Sequence, residues 1–437
     1  DTLPNYRDTD SDNDGISDTD ELTRGTDLCD PDSDGDGVSD LIEIAYGSDP
    51  LDSTESPRTY GDFVFEVPHM AAPSPTVDTL VFSTDLQMAD VYFTLDSSGS
   101  MGGEIANLLS SLRSTVVPGI DAAIPDVWYG VGRFEDCRSA YCTHDMCMLQ
   151  EMTSSIPSVE TALTGWTTCG GYEPYTHNLY AIAAGDSAPF VAWGGVFPTS
   201  WTCTAPGAIG WPCFRTGAVP IVIQFGDEDF DINITQCTPS RTFAQAISAM
   251  NAINAKYIGV NSGSSATDMR TIATGTGSVD ATGVPLVFTI PSTGTGLGTQ
   301  VVDAVTHLAN NVPIRVDAII SDDPSDSVDA VTEFVDRIQT NTSGSSIWDP
   351  ILGITRVCTS TVPTATPGTP PTVDYFSSVL PGEPVCFDIY PQMNTTVAPL
   401  TTPQIFRAVI DVIGDLFTPL DSRDVYFLVP PVIPGGN

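Results

Sequence analysis

Lysine is nearly absent: Lys256 stands alone in 437 residues, and 15 basic side chains face 56 acidic ones, for a net charge of −41. Such a surface repels nucleic acid and anionic membranes and draws divalent cations. Histidine is scarce too, at four residues. None pairs with a serine or cysteine in a nucleophile motif, so catalysis has no candidate group and the chain reads as non-enzymatic. No apolar run reaches the ~20 residues that a membrane-crossing helix needs. A signal-like leader is missing and the chain opens on Asp1, which reads as a mature or trimmed chain whose export signal is gone.

What remains is ample. The chain is 41% hydrophobic and 8% aromatic, enough to fill the cores of two to three domains. Its 10 cysteines lie mostly in polar or turn-rich stretches, and an even number so placed points to export and disulfides. Cys358 and Cys386 flank a Thr/Pro-rich run at 359–373 and are expected to pair, closing it as a loop. Cys137, Cys142 and Cys147 with His144 do not match common zinc spacings. Disulfides with Cys169, Cys203, Cys213 or Cys237 are expected instead, stapling a Trp/Pro/Gly-rich insertion at about 185–217.

The acidic charge is concentrated in residues 1–52, opposed there only by Arg7 and Arg24. Two stretches superimpose in that segment: Asp10, Asp12, Asp14, Gly15, Ile16, Asp18, Glu21, and Asp32, Asp34, Asp36, Gly37, Val38, Asp40, Glu43. Both read D-x-D-x-D-G-[IV]-x-D-x-x-E. Calcium takes six to eight hard oxygens, and this order offers them. Carboxylates come from positions 1, 3, 5 and 9, the backbone carbonyl of Ile16 or Val38 from position 7, and a bidentate glutamate from position 12. Glycine at position 6 permits the sharp turn. The pattern resembles the thrombospondin type 3 repeats of bacterial surface proteins. Asp1, Asn5 and Asp8 would be positions 5, 9 and 12 of a further loop. The segment, taken as residues 1–57, is expected to lack a hydrophobic core and to depend on bound Ca2+ for its fold.

The middle of the chain changes style. Val91–Leu95 is a short β-prone run ending in Asp96-Ser-Ser98-Gly-Ser100, and an amphipathic helix pattern follows from Glu104. Val127–Gly132, Val219–Phe225, Tyr257–Val260 and Pro285–Ile290 read as further strands. Phe243–Ala255, a segment ending near Ile272 and Thr299–Asn310 read as helices. This alternation predicts a doubly wound, mostly parallel α/β sheet over residues 86–312, with ligands at the carboxyl ends of strands. Strand, D-x-S-x-S, helix resembles a von Willebrand factor A-type domain. The resemblance implies a metal-ion-dependent adhesion site, holding Mg2+, Ca2+ or Mn2+ through Asp96, Ser98 and Ser100 in its first loop and Asp227 in its third. For the second loop, counting back from Leu179 and Ala181 puts Thr176 at the ligand position. Glu173 is the alternative for that role, or the holder of a second ion.

Residues 58–85 and 313–437 carry β patterns separated by turns. They are expected to form one β-sandwich interrupted by the A-type domain; a separate C-terminal sandwich is the alternative. The resemblance implies that the metal grips an acidic residue of a protein ligand. The expected function is therefore adhesion or assembly outside the cell, at a bacterial surface. A structural subunit that polymerises with copies of itself through calcium into a filament or layer is the alternative.

Overall fold

The computed structural model of the chain describes residues 9–134, 146–164, 168, 173–185, 203, 207–230, 241–349, 351–360, 364–365 and 375–432. Asp1, Asn5 and Asp8, and Cys137, Cys142, Cys169 and Cys237, lie outside the described residues.

Each Asp-rich loop runs into a short helix, α1 (Asp18–Arg24) and α2 (Asp40–Tyr46). Ser17 and Ser39 take the N-cap places, and acidic residues fill both first turns, where the positive end of the helix favours them. Gly25 and Gly47 stop the helices in the left-handed region. The expected absence of a core is corrected here. Ile16, Val38, Leu41 and Ile42 are buried in a cluster completed by Val64 and Leu428 from strands that follow much later or at once in the chain. Tyr46 packs edge-on against Tyr426 and donates its hydroxyl to Asp62 at 2.8 Å. The repeats thus share a core with the strands beneath them, because two adjacent apolar positions in α2 and the position-7 residues of both loops face the same way.

The chain then forms β1 (Phe63–Glu66) and β2 (Asp78–Phe82), which stay outside the central sheet. The central unit follows as β3 (Met88–Asp96), α3 (Gly102–Ser111), α4 (Val117–Asp121), β4 (Asp126–Phe134), β5 (Met146–Thr153), α5 (Ile156–Leu163) and α6 (Tyr175–Ala184). It continues as β6 (Val219–Gly226), α7 (Phe243–Ala252), β7 (Lys256–Asn261), α8 (Ala266–Gly275), β8 (Val287–Thr289) and α9 (Leu297–Asn311). Its strand order is β5-β4-β3-β6-β7-β8, parallel except for β5.

Successive residues of a strand face opposite sides of its sheet, and the central strands are buried on both. Val91, Phe93, Leu95, Ile221, Ile223 and Phe225 pack in one core with α3 and α9, while Tyr92, Val222 and Tyr257 pack in another with α6, α7 and α8. That double burial explains the largely apolar runs of β3 and β6, interrupted only by buried Asp90, Thr94 and Gln224 before their ends. Strand β5 and helix α5 are additions that the sequence did not announce; β5 alternates weakly because it is an edge strand.

The rest of the chain forms β9 (Ile314–Asp322), α10 (Ala330–Phe334), β10 (Val335–Asn341), the hairpin β11 (Ser346–Asp349) and β12 (Ile354–Val357), β13 (Thr364–Ala365), β14 (Tyr375–Val379), β15 (Val385–Pro391), β16 (Gln404–Gly414) and β17 (Thr418–Val429). One sheet runs β1-β17-β16-β9-β14-β13 and another β10-β15-β2. Strands from before the central unit therefore pair with strands from after it. Phe65 stacks on Phe427 at 5.8 Å, and Phe376 meets Phe387 across the two sheets at 5.4 Å. The same apolar cluster extends into the α3/α9 face of the central sheet.

Cys358 and Cys386 are joined by a disulfide across 28 residues, and Cys203 is joined to Cys213. Closing a loop of that length constrains the unfolded chain by about 3–4 kcal/mol on the chain-entropy account. A Cys358→Ser, Cys386→Ser variant should lose stability of that order in urea unfolding. An unchanged midpoint would show that the bridge adds nothing.

Candidate metal centres

The two N-terminal loops are built alike. Carboxylate oxygens of Asp10, Asp12 and Asp14 lie within 4.8 Å of one another, as do those of Asp32, Asp34 and Asp36. Each loop is shaped by its own side chains. Asp14 accepts from Ile16 N–H at 2.7 Å and Asp36 from Val38 N–H at 2.8 Å. Gly15 and Gly37 turn at φ near +94° and +92° and donate to Asp10 and Asp32. Glu21 and Glu43 are fully buried, and both oxygens of Glu21 and one of Glu43 have no hydrogen-bond partner. Buried oxygens of Asp12, Asp14 and Asp34 are in the same condition. Desolvated carboxylate oxygens without donors, converging from both ends of a loop, fit a hard cation. Ile16 and Val38 occupy position 7 with their side chains in the shared core.

Asp18 and Asp40 are engaged within their own loops. Both oxygens of Asp18 accept from the N–H and hydroxyl of Ser11, and both oxygens of Asp40 from those of Ser33. Position 9 therefore clasps position 2 and holds the loop closed, and the serine is what makes this possible.

The electrostatics give a pH signature. Burial, with repulsion from neighbouring carboxylates, pushes Asp14 and Glu43 up to about 8 and Glu21 up to about 7. A carboxyl raised in the folded state favours folding when protonated. The metal-free repeats are therefore firmest below the ordinary carboxylate range of ~4 and lose that stability as pH rises through about 7 to 8. Calcium reverses the sign, since it needs the ionised form. Its uptake at pH 7 should release protons, read by calorimetry in two buffers of different ionisation enthalpy; a heat independent of buffer would contradict this.

The central centre lies where β3 and β6 end side by side, at the switch point of the sheet. Asp96 is the last residue of β3 and Asp227 follows β6 directly. Asp96 is fully buried and accepts from Ser98 N–H at 2.7 Å and from the Tyr175 hydroxyl at 3.0 Å. The hydroxyls of Ser98 and Ser100 are 3.1 Å apart. Oxygens of Asp96, Glu173 and Asp227 lie within 4.8 Å of one another. Burial pushes Asp96 up to about 7 and Glu173 up to about 8, and repulsion from Asp227 adds to both. Asp227 Oδ1 is buried without a hydrogen-bond partner. Two hydroxyls and three carboxylates so arranged fit a divalent cation with hard-oxygen preference.

Thr176 is buried in the first turn of α6. Its hydroxyl donates to the Arg241 carbonyl at 2.8 Å. Helix α6 starts at Tyr175, whose side chain points to Asp96, and the next residue is turned about 100° around the helix. Glu173, just before the helix, is the second-loop carboxylate that lies with Asp96 and Asp227. Two further residues escaped the sequence reading. Tyr175 is wedged between Phe134 and Phe230, and a Cβ on Gly226 would lie 2.2 Å from its hydroxyl oxygen; the glycine before Asp227 was its only trace. Glu104 is buried, with Oε2 lacking a hydrogen-bond partner and its carboxyl raised by burial and by Asp227. In the sequence it is indistinguishable from an ordinary acidic residue of a first helical turn.

Residues 10–27 and 32–53 match the family model of the bacterial TSP3 repeat. No curated protein sequence matches the chain. Among solved structures, "von Willebrand factor type A from Catenulispora acidiphila" aligns at 11% identity and a TM-score of 0.34, over 85% of this chain and 76% of that one. Proximal thread matrix protein 1 from the mussel byssus aligns at 16% identity and a TM-score of 0.33, over 55% of this chain. The chain spans about half of that protein, 51%.

Proposed function

We propose that this is a non-enzymatic extracellular protein that makes metal-dependent contacts through the Asp96 centre, on a scaffold whose N-terminal repeats are set by calcium. The carrying observation is the convergence of Asp96, Ser98, Ser100, Glu173 and Asp227 at the open end of a rigid parallel sheet. The spacing of Asp96, Ser98 and Ser100 supports this reading, since it resembles the first loop of the adhesion site of von Willebrand factor A-type domains, and the pairing of β1 with β17 and of β2 with β15 supports an interrupted β-sandwich. TSP3 repeats, two disulfides and the absence of any helix long and apolar enough to cross a membrane among the described residues fit an extracellular protein. Asp96, Ser98, Ser100, Asp227 and Glu173 would hold the ion, which supplies an electrophilic point for a carboxylate of the partner.

The polymerising alternative loses one support. The repeats dock on strands of their own chain, so polymerisation through them requires exchange of the segment between copies. Carboxylated beads test the adhesive reading, because a chain of charge −41 is repelled by them unless a cation bridges. Retention in magnesium or manganese, elution by chelator and loss in Asp96→Ala are expected. Equal retention of the variant would refute it.

A further inference from the structure

We propose that Glu173 is a self-ligand of the central centre, filling the coordination position that a partner's acidic residue takes, so that the partner must displace it. The inference rests on the metal reading above and concerns which atoms complete the site. Three observations carry it.

The first is position. Glu173 precedes α6 on a turn in which Tyr175 N–H donates to its carbonyl at 2.9 Å, yet its side chain is 6% exposed and reaches the oxygens of Asp96 and Asp227. It stands before the first residue of α6 and not within the helix, so its displacement breaks no helical hydrogen bond of its own. The second is substitution. The neutral hydroxyl of Thr176 is engaged with Arg241, so the chain brings a charged group where a neutral one was expected. The third is charge. Two carboxylates balance a divalent ion, and a third leaves the centre net negative. Glu104, buried nearby with Oε2 lacking a hydrogen-bond partner, is a further acidic group that repels Asp227. A fourth carboxylate from outside adds to that repulsion, and exchange for Glu173 relieves it. A centre richer in carboxylates also favours Ca2+, with its higher coordination number, over Mg2+.

The test uses the full chain loaded with Mn2+ and reads water-proton relaxation, with Asp96→Ala subtracting the manganese held by the repeats. Glu173→Gln and Glu173→Ala should keep manganese at the central centre and raise its relaxation enhancement as water enters the vacated position, the alanine more. Acetate should then quench that enhancement, binding about tenfold tighter than to the wild type, the scale of one relieved close carboxylate repulsion at the edge of solvent. Loss of manganese from both Glu173 variants, as complete as in Asp96→Ala, would make Glu173 an obligatory ligand and overturn the proposal. So would enhancement and acetate affinity equal to wild type. If Asp96→Ala itself changes nothing, the metal reading fails, and the self-ligand falls with it.

Discussion

Chelating calcium will release residues 9–57 from the sheets while the central sheet keeps its protection. The repeats hold only a small apolar cluster, Ile16, Val38, Leu41 and Ile42 against Val64 and Leu428. Burying such side chains contributes ~1.5–3 kcal/mol each. Ordering the backbone of the segment costs conformational entropy that this cluster and the short helices α1 and α2 offset only in part. In addition, Glu21 and Glu43 are fully buried and repelled by the Asp residues of their loops, a repulsion that cations or protons relieve. At calcium a thousandfold above its dissociation constant, each site adds about 4 kcal/mol to the folded form. Removing both reverses the balance. By contrast, β3, β6 and β7 are walled by apolar residues on both faces and contain no ligand within their span except the terminal Asp96. Hydrogen exchange with and without chelator reads the result. Exchange should rise throughout 9–57 and on the newly uncovered Val64 and Leu428 strands, and stay slow in β3 to β7. Equal protection of the repeats in both conditions would show that the shared core suffices.

The sequence was legible where a local pattern maps directly onto chemistry. The Asp-rich loops announce themselves by spacing because all but one of their oxygens come from side chains in one short segment. The central strands were legible because burial on both faces demands largely apolar runs. What escaped depended on distant pairing. That α2 and β17 share a core through Leu41 and Leu428 requires contacts across nearly the whole chain, and no periodicity within either segment reveals it. In the second loop of the central centre the choice between Thr176 and Glu173 was not legible, because the carboxylate that reaches Asp96 and Asp227 stands before the helix whose pattern was counted. At position 9 of the repeats, the hydrogen bonds by which Asp18 and Asp40 accept from Ser11 and Ser33 at position 2 were not legible either.

Replacing Asp96 by alanine will abolish cation binding at the central centre, and its effect on stability will change sign with the metal. Asp96 is fully buried at the end of β3, and burial together with Asp227 raises its carboxyl to about 7. Its folded pKa thus lies above the ordinary value of ~3.9. In the metal-free protein, stability linked to this group is greatest below that value and is lost as pH rises through about 7. At pH 8 the ionised Asp96 is therefore a burden on the empty fold, and removing it removes that burden along with repulsion on Glu173. Against this stand two lost hydrogen bonds, from Ser98 N–H and from the Tyr175 hydroxyl, each leaving a buried donor unsatisfied at about 1–3 kcal/mol. Asn in place of Ala keeps an acceptor for one of them. Asp96→Asn without metal should then match or exceed the wild-type melting temperature at pH 8. With saturating manganese the order inverts: the wild type rises by the linkage of its bound ion, about 3 kcal/mol at a hundredfold excess over the dissociation constant, and Asp96→Asn gains only what the repeats supply. Thermal unfolding of both proteins, at pH 5 and 8 and with and without metal, separates the contributions. A manganese-induced rise equal in the two proteins would mean that the ion does not bind at Asp96.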